Sequence, residues 1–115
     1  MTETIHDLET LKCALREFAA ARDWRRYHTP KNLAMAMIVE AAELVEHFQW
    51  ATPEESLAPP PEKLAAIRDE VADTLIYLVE LADALGIDPI AAARDKIAKN
   101  AKKYPAPLRS PRGEF

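Results

Sequence analysis

Apolar residues recur at helical spacing through most of the chain, and no segment alternates strictly between apolar and polar residues as a half-buried strand does. In the first helical segment, Leu8, Leu11 and Leu15 lie three and four residues apart. Thr4, followed three residues later by Asp7, resembles a capping box at the start of this segment. The pattern predicts helices at about residues 5–24, 30–49, 61–85 and 89–103.

Prolines, capping residues and one glycine limit the later helices. Thr29 and Asp88 each precede a proline, which is favoured at the first helical position. Gly86 is suited to end the third helix. Thr52–Glu55 can form one short turn, and the prolines at 59–61 prevent a longer one. We therefore expect an all-α, four-helix bundle that forms one domain over residues 1–104.

The second predicted helix is apolar on all sides. Leu33–Val39 is an unbroken apolar segment, and Ala41, Ala42, Leu44 and Val45 extend it. A surface helix needs only one apolar stripe, and a chain of 115 residues has little interior in which to bury a whole helix. The simplest explanation is that neighbouring copies of the chain cover its outer face, which predicts a homo-oligomer. The alternative is a compact monomer with this helix at its centre.

Composition argues against several classes of function. With 15 Lys and Arg against 19 Asp and Glu, the net charge is −4, which disfavours binding to a nucleic-acid polymer. The 2 glycines do not form a glycine-rich phosphate loop. The single cysteine, Cys13, excludes a disulfide framework and a cysteine zinc cluster, and we expect it to be a small buried apolar residue.

No targeting or membrane segment is visible. Residues 1–7 lack a basic stretch followed by an apolar one, so no signal peptide is predicted. The longest nearly apolar run, residues 33–45, contains two glutamates and is too short to span a bilayer. These features predict a cytoplasmic protein without membrane contact. Residues 105–115, with three prolines and one glycine, are expected to be a mobile tail or to lie across a partner subunit.

Two pairs of acidic residues interrupt the apolar helices. Glu40 and Glu43 lie three residues apart in the second helix, and Glu70 and Asp73 have the same spacing in the third. Residues at this spacing project from one helix face, and an unpaired buried carboxylate costs on the order of several kcal/mol. Packed face to face, the two pairs would form a four-carboxylate cluster that requires cations. The alternative is two surface pairs neutralised by Lys and Arg.

The chemistry of these ligands favours a hard cation. Oxygen-only donors select Mg²⁺ or Mn²⁺. A di-iron bundle would normally carry Glu-x-x-His motifs on its helices, and the one such motif here, Glu3 to His6, lies near the N-terminus. Because Mg²⁺ is commonly shared with substrate phosphates, the cluster predicts metal-assisted phosphate chemistry. The other acids in this part of the chain are expected to be solvated or paired on the surface: Glu46, Glu54, Glu55, Glu62, Asp69, Glu80 and Asp83.

Aromatic residues can complete a nucleotide site around this cluster. Trp24 and His28 come at the end of the first helix and in the following loop, and Trp50 ends the second helix. Tyr77 lies four residues after Asp73 on nearly the same face. Such rings can stack a nucleobase, although ordinary core packing is an equally simple role for each of them alone.

Two further sets of polar residues suit phosphate and sugar contacts. Lys31 and Asn32 lie in the first turn of the second helix, where free backbone N–H groups and the helix dipole favour anions. Lys96, Asn100 and Tyr104 lie four residues apart and form one polar stripe on the fourth helix. Other basic residues of this helix are expected to be merely solvated.

The acidic signature, ExxE followed at a distance by ExxD, occurs here together with HxPKNL, an FQW ending and a KxxxNxxxYP ending. These motifs belong to the stretches FAAARDWRRYHTPKNLAMAMIVEAAELVEHFQW, DEVADTLIYLVELADALGID and KIAKNAKKYP, within Phe18–Pro105. Together they closely resemble the MazG-like nucleotide pyrophosphohydrolases, nearest to the small dCTP pyrophosphatases. Many members of the wider family carry EExxE, whereas Val39 precedes Glu40 here, as in the dCTP branch. This difference bears on the number of metals bound.

The resemblance implies an all-α homo-oligomer, a dimer or a tetramer, with sites built across subunits. It implies Mg²⁺, with Mn²⁺ as a possible substitute, bound by Glu40, Glu43, Glu70 and Asp73. It implies a base pocket formed by Trp24, His28, Trp50 and Tyr77. It implies sugar and phosphate contacts from Lys31, Asn32, Lys96, Asn100 and Tyr104.

The implied reaction is hydrolysis of a nucleoside triphosphate, dCTP or a related pyrimidine, to the monophosphate and pyrophosphate, as part of nucleotide-pool housekeeping. A water held by metal or by a carboxylate such as Glu43 attacks the α-phosphorus. One alternative is the same chemistry on dUTP or on modified nucleotides. Another is a non-catalytic helical oligomerisation or nucleotide-binding module, which would be expected to have lost at least one of the four acids.

Overall fold

The structure, a computed structural model, describes residues 4–107, and all regular elements in that range are helical. The helices are α1 (Leu8–Ala21), α2 (Pro30–Glu46), α3 (Pro53–Ser56), α4 (Pro61–Ala84) and α5 (Pro89–Lys103). A 3₁₀ turn, Arg25–Tyr27, follows α1. The all-α prediction is therefore confirmed for this range, and α3 forms at the predicted short turn. Most of the predicted tail, residues 108–115, lies outside the described residues.

The limits of α1 differ from those predicted by three residues at each end. Asp7, not Thr4, is the capping residue, because its carboxylate accepts a hydrogen bond from the Thr10 N–H at 2.8 Å. The Thr10 hydroxyl in turn accepts from the Asp7 N–H at 3.1 Å. After α1, Asp23 adopts a left-handed conformation with φ of +55°, which is incompatible with continued helix.

The predicted caps of the later helices are confirmed. The Thr29 hydroxyl accepts a hydrogen bond from the Asn32 N–H at 3.3 Å. The Asp88 carboxylate accepts from the N–H groups of Ile90 and Ala91 at 3.0 and 3.2 Å. Gly86 follows α4 with φ of +69°, a conformation that glycine adopts without a Cβ clash. These contacts are local in sequence, so the start of each helix is set by its own residues.

The core lies between α2 and α4, which pack against each other along their length. Leu33, Ile67, Val79 and Ala82 are buried there, and Ala19 of α1 joins them. Leu33, near the start of α2, lines the same cavity as Val79, near the end of α4. Glu40, further along α2, contacts Asp73, which comes earlier in α4. The two helices therefore run antiparallel.

A bidentate ion pair fastens α1 to the C-terminal part of α4. The Arg16 guanidinium donates to the Asp83 carboxylate, with Nε–Oδ2 and Nη2–Oδ1 distances of 2.8 and 2.5 Å. Because α1 contacts little besides α4, only one of its sides is covered. Cys13 lies on another side and is exposed, so the expectation that it is buried is wrong.

The single chain is open rather than compact. Its radius of gyration is 17.7 Å, whereas about 13 Å is typical of a compact domain of this length. No residue of α5 is buried. On α2, Met35, Ile38, Val39 and Val45 are each 54–60% exposed. The predicted homo-oligomer would cover this surface, and it stays a prediction. No helix within residues 4–107 is long and apolar enough to cross a membrane.

Candidate active site

Acidic side chains from two helices meet where α2 and α4 pack. Glu40, Glu43 and Glu70 each place a carboxylate oxygen within 4.8 Å of the others. Asp73 joins them through a hydrogen bond with Glu40. The structure thus brings together the four acids that the sequence pattern paired, from two helices about 30 residues apart along the chain.

Burial and mutual repulsion raise pKa values in this acid cluster. Burial is the largest cause for Glu40, followed by its hydrogen bond with Asp73 and the charge of Glu43, and these raise the pKa of Glu40 to about 7. The pKa of Glu70 is raised by burial first and then by its hydrogen bond with Glu43. His47 directly follows α2, and its charge lowers the pKa of Glu70, in opposition to these two causes.

One carboxylate oxygen of the cluster is left without a partner. Oε2 of Glu70 is inaccessible to solvent and accepts no hydrogen bond within the described part of the chain. A buried polar atom of this kind is costly unless a donor or a cation satisfies it. Four clustered carboxylates, two of them (Glu40 and Glu70) with raised pKa values, and one orphaned oxygen fit a hard divalent cation bound through oxygen. The residues present therefore suit a metal of the Mg²⁺ or Mn²⁺ type.

A cavity of about 490 Å³ opens beyond the cluster, between α1, the 3₁₀ turn and α4. Its apolar wall includes Leu15, Ala19, Leu33 and Val79. The charged or titratable residues that line it are Lys12, Arg16, Arg25, His28, Glu80 and Asp83. Volume and lining are of the kind found at small-molecule sites, apolar with a few polar groups.

Residues on one face of α4 connect the cluster to this cavity. Glu70, Asp73, Tyr77 and Glu80 follow each other at intervals of three or four, so they share one side of the helix. Tyr77 lies within electrostatic reach of Glu40 and Glu80 at once. The pKa of the Tyr77 hydroxyl is raised mainly by partial burial and also by these two charges.

Predicted base-pocket residues fall into two groups. The rings of Trp24 and His28 are 6.4 Å apart in an edge-to-face arrangement, and Phe18 extends the group with its ring 5.7 Å from that of Trp24. Trp50 is 90% exposed and lines a separate cavity of about 430 Å³ beside His47. Within one chain, His28 therefore lines the cavity of about 490 Å³, whereas Trp50 lies at a different cavity.

The predicted sugar and phosphate residues are all exposed. Asn32 donates from Nδ2 to the Tyr27 carbonyl at 2.9 Å, which ties the start of α2 to the 3₁₀ turn. Lys31 is exposed beside it, as are the α5 residues Lys96, Asn100 and Tyr104. No hydrogen bond or ion pair links these five side chains to the acid cluster in residues 4–107.

Two acids that were expected to be solvated or paired on the surface, Glu80 and Asp83, line the cavity. Glu80 is 13% exposed, and its Oε2 is 3.3 Å from Nδ1 of His28. Asp83 is 23% exposed and holds Arg16. For Asp83 the expected pairing with a basic residue is confirmed. For Glu80 the expectation is wrong, because the group that covers it, His28, comes from the loop after α1, which spacing within α4 does not reveal. One signal was present: Glu80 continues the face defined by Asp73 and Tyr77.

The family assignment agrees with this geometry. The MazG-like family model matches residues 35–110, so the chain belongs to the MazG-like family. Proteins named dCTP pyrophosphatase 1 from Mus musculus and Homo sapiens are each 42% identical over 88% of this chain. The aligned region is 61% of each mammalian protein, so the chain spans less than two thirds of these relatives.

A solved structure extends the likeness to the fold. The crystal structure of a pyrophosphatase from Archaeoglobus fulgidus superposes with a TM-score of 0.77 at 44% identity. The match covers 88% of this chain and 94% of that one. The helical arrangement around the acid cluster is therefore shared over nearly the whole archaeal protein.

Proposed function

We propose that this protein is a Mg²⁺-dependent nucleoside triphosphate pyrophosphohydrolase that releases pyrophosphate and a nucleoside monophosphate. The single observation that carries the proposal is the convergence of Glu40, Glu43, Glu70 and Asp73 between two helices, with a buried Glu70 oxygen unpartnered. Membership of the MazG-like family and the likeness to proteins named pyrophosphatases support it.

The four acids would hold the metal, and Mn²⁺ is a possible substitute for Mg²⁺. Such a cation would supply positive charge to neutralise the phosphates and would make a nearby water more acidic. The clustered carboxylates keep that face of α2 and α4 negative, so an anionic substrate binds productively only when cations are present. No side chain of the site forms a nucleophile–base pair suited to a covalent intermediate, so direct attack by water at the α-phosphorus is proposed.

The preferred substrate is proposed to be dCTP or a related pyrimidine nucleotide. The names of the mammalian relatives support this choice, as does a cavity of about 490 Å³ close to the acid cluster. In this account Trp24, His28, Trp50 and Tyr77 contact the base. Sugar and phosphate contacts are assigned to Lys31, Asn32, Lys96, Asn100 and Tyr104.

We also propose that the functional unit is a homo-oligomer, a dimer or a tetramer, active in cytoplasmic nucleotide-pool housekeeping. The exposed apolar face of α2 and the large radius of gyration support an assembly. Trp50 is 90% exposed and α5 has no buried residue, so both are free to reach the site of a neighbouring copy.

Product analysis on a panel of nucleoside triphosphates, with Mg²⁺ and with a chelator, tests the proposal. We expect Mg²⁺-dependent monophosphate and pyrophosphate from dCTP, and at least a hundredfold loss of kcat/KM in Glu43→Gln. Glu62→Gln, an exposed position near the start of α4, is the matched control and should retain full activity. Preference for dUTP or a modified nucleotide would replace the substrate assignment. Absence of any turnover would favour a binding module.

A further inference from the structure

The cavity beyond the acid cluster is a candidate site for the base of a nucleotide whose phosphates bind at the cluster. Glu80 follows Asp73 by seven residues, almost two helical turns, so it lies on the same face of α4 about 10 Å further along the axis. The pocket there is partly apolar, which suits a flat heterocycle. The His28 ring lines it, and the Trp24 ring lies 6.4 Å from that of His28.

Most charged groups lining this cavity already have partners. Arg16 and Asp83 satisfy each other in a bidentate ion pair. Lys12 is held by Glu9, with Nζ 2.6 Å from a carboxylate oxygen. Arg25 makes no ion pair among the described residues. These pairings leave Arg25 and the Glu80–His28 pair available to contact a ligand, and of these only Glu80 belongs to α4, the helix that carries Glu70 and Asp73.

The geometry of this pair defines what it offers. Nδ1 of His28 is 3.3 Å from Oε2 of Glu80, and the two side chains are 23% and 13% exposed. In the neutral ring, the nitrogen that faces a carboxylate is the one that carries the hydrogen atom, so the other nitrogen, Nε2, is a hydrogen-bond acceptor. The carboxylate itself only accepts. The pair therefore presents acceptors and no free donor.

We propose that Glu80, with the His28 ring it orients, is the residue that selects a base carrying an exocyclic amino group over one carrying a keto oxygen. This inference rests on the proposed nucleotide hydrolysis. A carboxylate is the natural acceptor for the amino group of cytosine, whereas the keto oxygen of uracil or thymine at that position would face it with no hydrogen atom to share. Cytosine nucleotides are the class that fits.

The discriminating experiment is a comparison of dCTP with dUTP in Glu80→Gln. The substitution keeps the shape of the side chain and adds an amide donor, which suits a keto oxygen. We expect the ratio of kcat/KM for dCTP to that for dUTP to fall about tenfold, mainly through KM, because the contact is remote from the reacting phosphorus. Burial raises the pKa of Glu80, so the assay is run at pH 8 to keep its carboxyl group ionised.

Controls separate specificity from folding and from the proposed reaction. Glu62→Gln should leave the ratio unchanged, and Glu80→Ala, which removes the acceptor without adding a donor, should lower it less than Glu80→Gln. Circular dichroism and thermal melting report whether each variant is folded. A ratio within about twofold of the unsubstituted protein in both Glu80 variants would overturn the inference.

A binding measurement makes the outcome independent of hydrolysis. Calorimetry with dCMP and dUMP in the presence of Mg²⁺ compares the two bases without a chemical step. If no triphosphate is hydrolysed, the proposed function fails, and the affinity ratio of dCMP to dUMP decides the role of Glu80 by the same criterion. If hydrolysis proceeds and neither ratio responds to Glu80, the inference fails and the proposed function stands.

Discussion

Without metal, the protein should lose stability as the pH rises through neutrality. The folded-state pKa of Glu40 is raised from 4.5 to about 7, mainly by burial. A group whose pKa is higher in the folded state binds its proton more tightly there, so its stabilising contribution is complete below about pH 4.5 and is lost as the pH rises through about 7. The raised pKa of Glu70 acts in the same direction.

The size of the effect follows from the shift at Glu40. A rise from 4.5 to about 7 corresponds to roughly 3 kcal/mol of lost stability once the group is ionised. Because Glu40 is only partly buried, solvent screens part of this, and we expect about 1–2 kcal/mol. For 115 residues that is a fall of about 4–8 °C in Tm.

Thermal melting in chelator at pH 5.5 and at pH 8 measures this change, with Glu40→Gln as the comparison. The variant cannot ionise at this position, so its Tm should fall less over the same interval. Excess Mg²⁺ at pH 8 should restore the Tm of the unsubstituted protein and have little effect on the variant. Equal Tm values at both pH values in chelator, or the same fall in Glu40→Gln, would show that ionisation of Glu40 does not destabilise the folded protein.

Two further predictions concern the packing of the helices. Leu33 is 2% exposed between α2 and α4. Leu33→Ala should therefore lower the free energy of unfolding, measured by urea denaturation, by about 2–4 kcal/mol. A loss below about 1 kcal/mol would show that the site collapses around the smaller side chain. Asp83→Asn should lower the Tm at pH 7, because it removes the acceptor of Arg16. The hydrogen bond from Arg16 lowers the pKa of Asp83 below 3.8. The difference in Tm between the unsubstituted protein and Asp83→Asn should therefore persist above about pH 3.8 and vanish as the pH falls through the lowered pKa. A difference in Tm that grows in acid would contradict this.

Much of the fold can be predicted from the sequence, because the helix starts depend on capping residues that lie next to the helices they cap. Thr29 and Asp88 each cap a helix that begins with proline, and both caps form. The acid cluster was also predictable, since spacing of three places each pair on one face and the apolar flanks require those faces to be buried. The predicted start of α1 is wrong because the sequence offers a capping-box pattern at Thr4, three residues before Asp7, which is the residue that caps the helix.

The cavity could not be predicted in the same way. Glu80 and Asp83 have the composition and spacing of ordinary solvent-facing acids, and their environment depends on where α1 crosses α4 and where the loop after α1 returns. These are contacts between residues more than 50 positions apart. Trp50 shows the converse limit, because its ring is 90% exposed and lines a cavity apart from His28, although its place in the sequence suggested a shared pocket.

The proposed reaction is tested most directly by ³¹P NMR of dCTP incubated with the protein and Mg²⁺. Cleavage between the α- and β-phosphates predicts that the β-phosphate resonance disappears while resonances of dCMP and pyrophosphate grow together, and that a chelator stops the change. Formation of dCDP with orthophosphate, or an unaltered spectrum from a folded, Mg²⁺-supplied protein, would contradict the account.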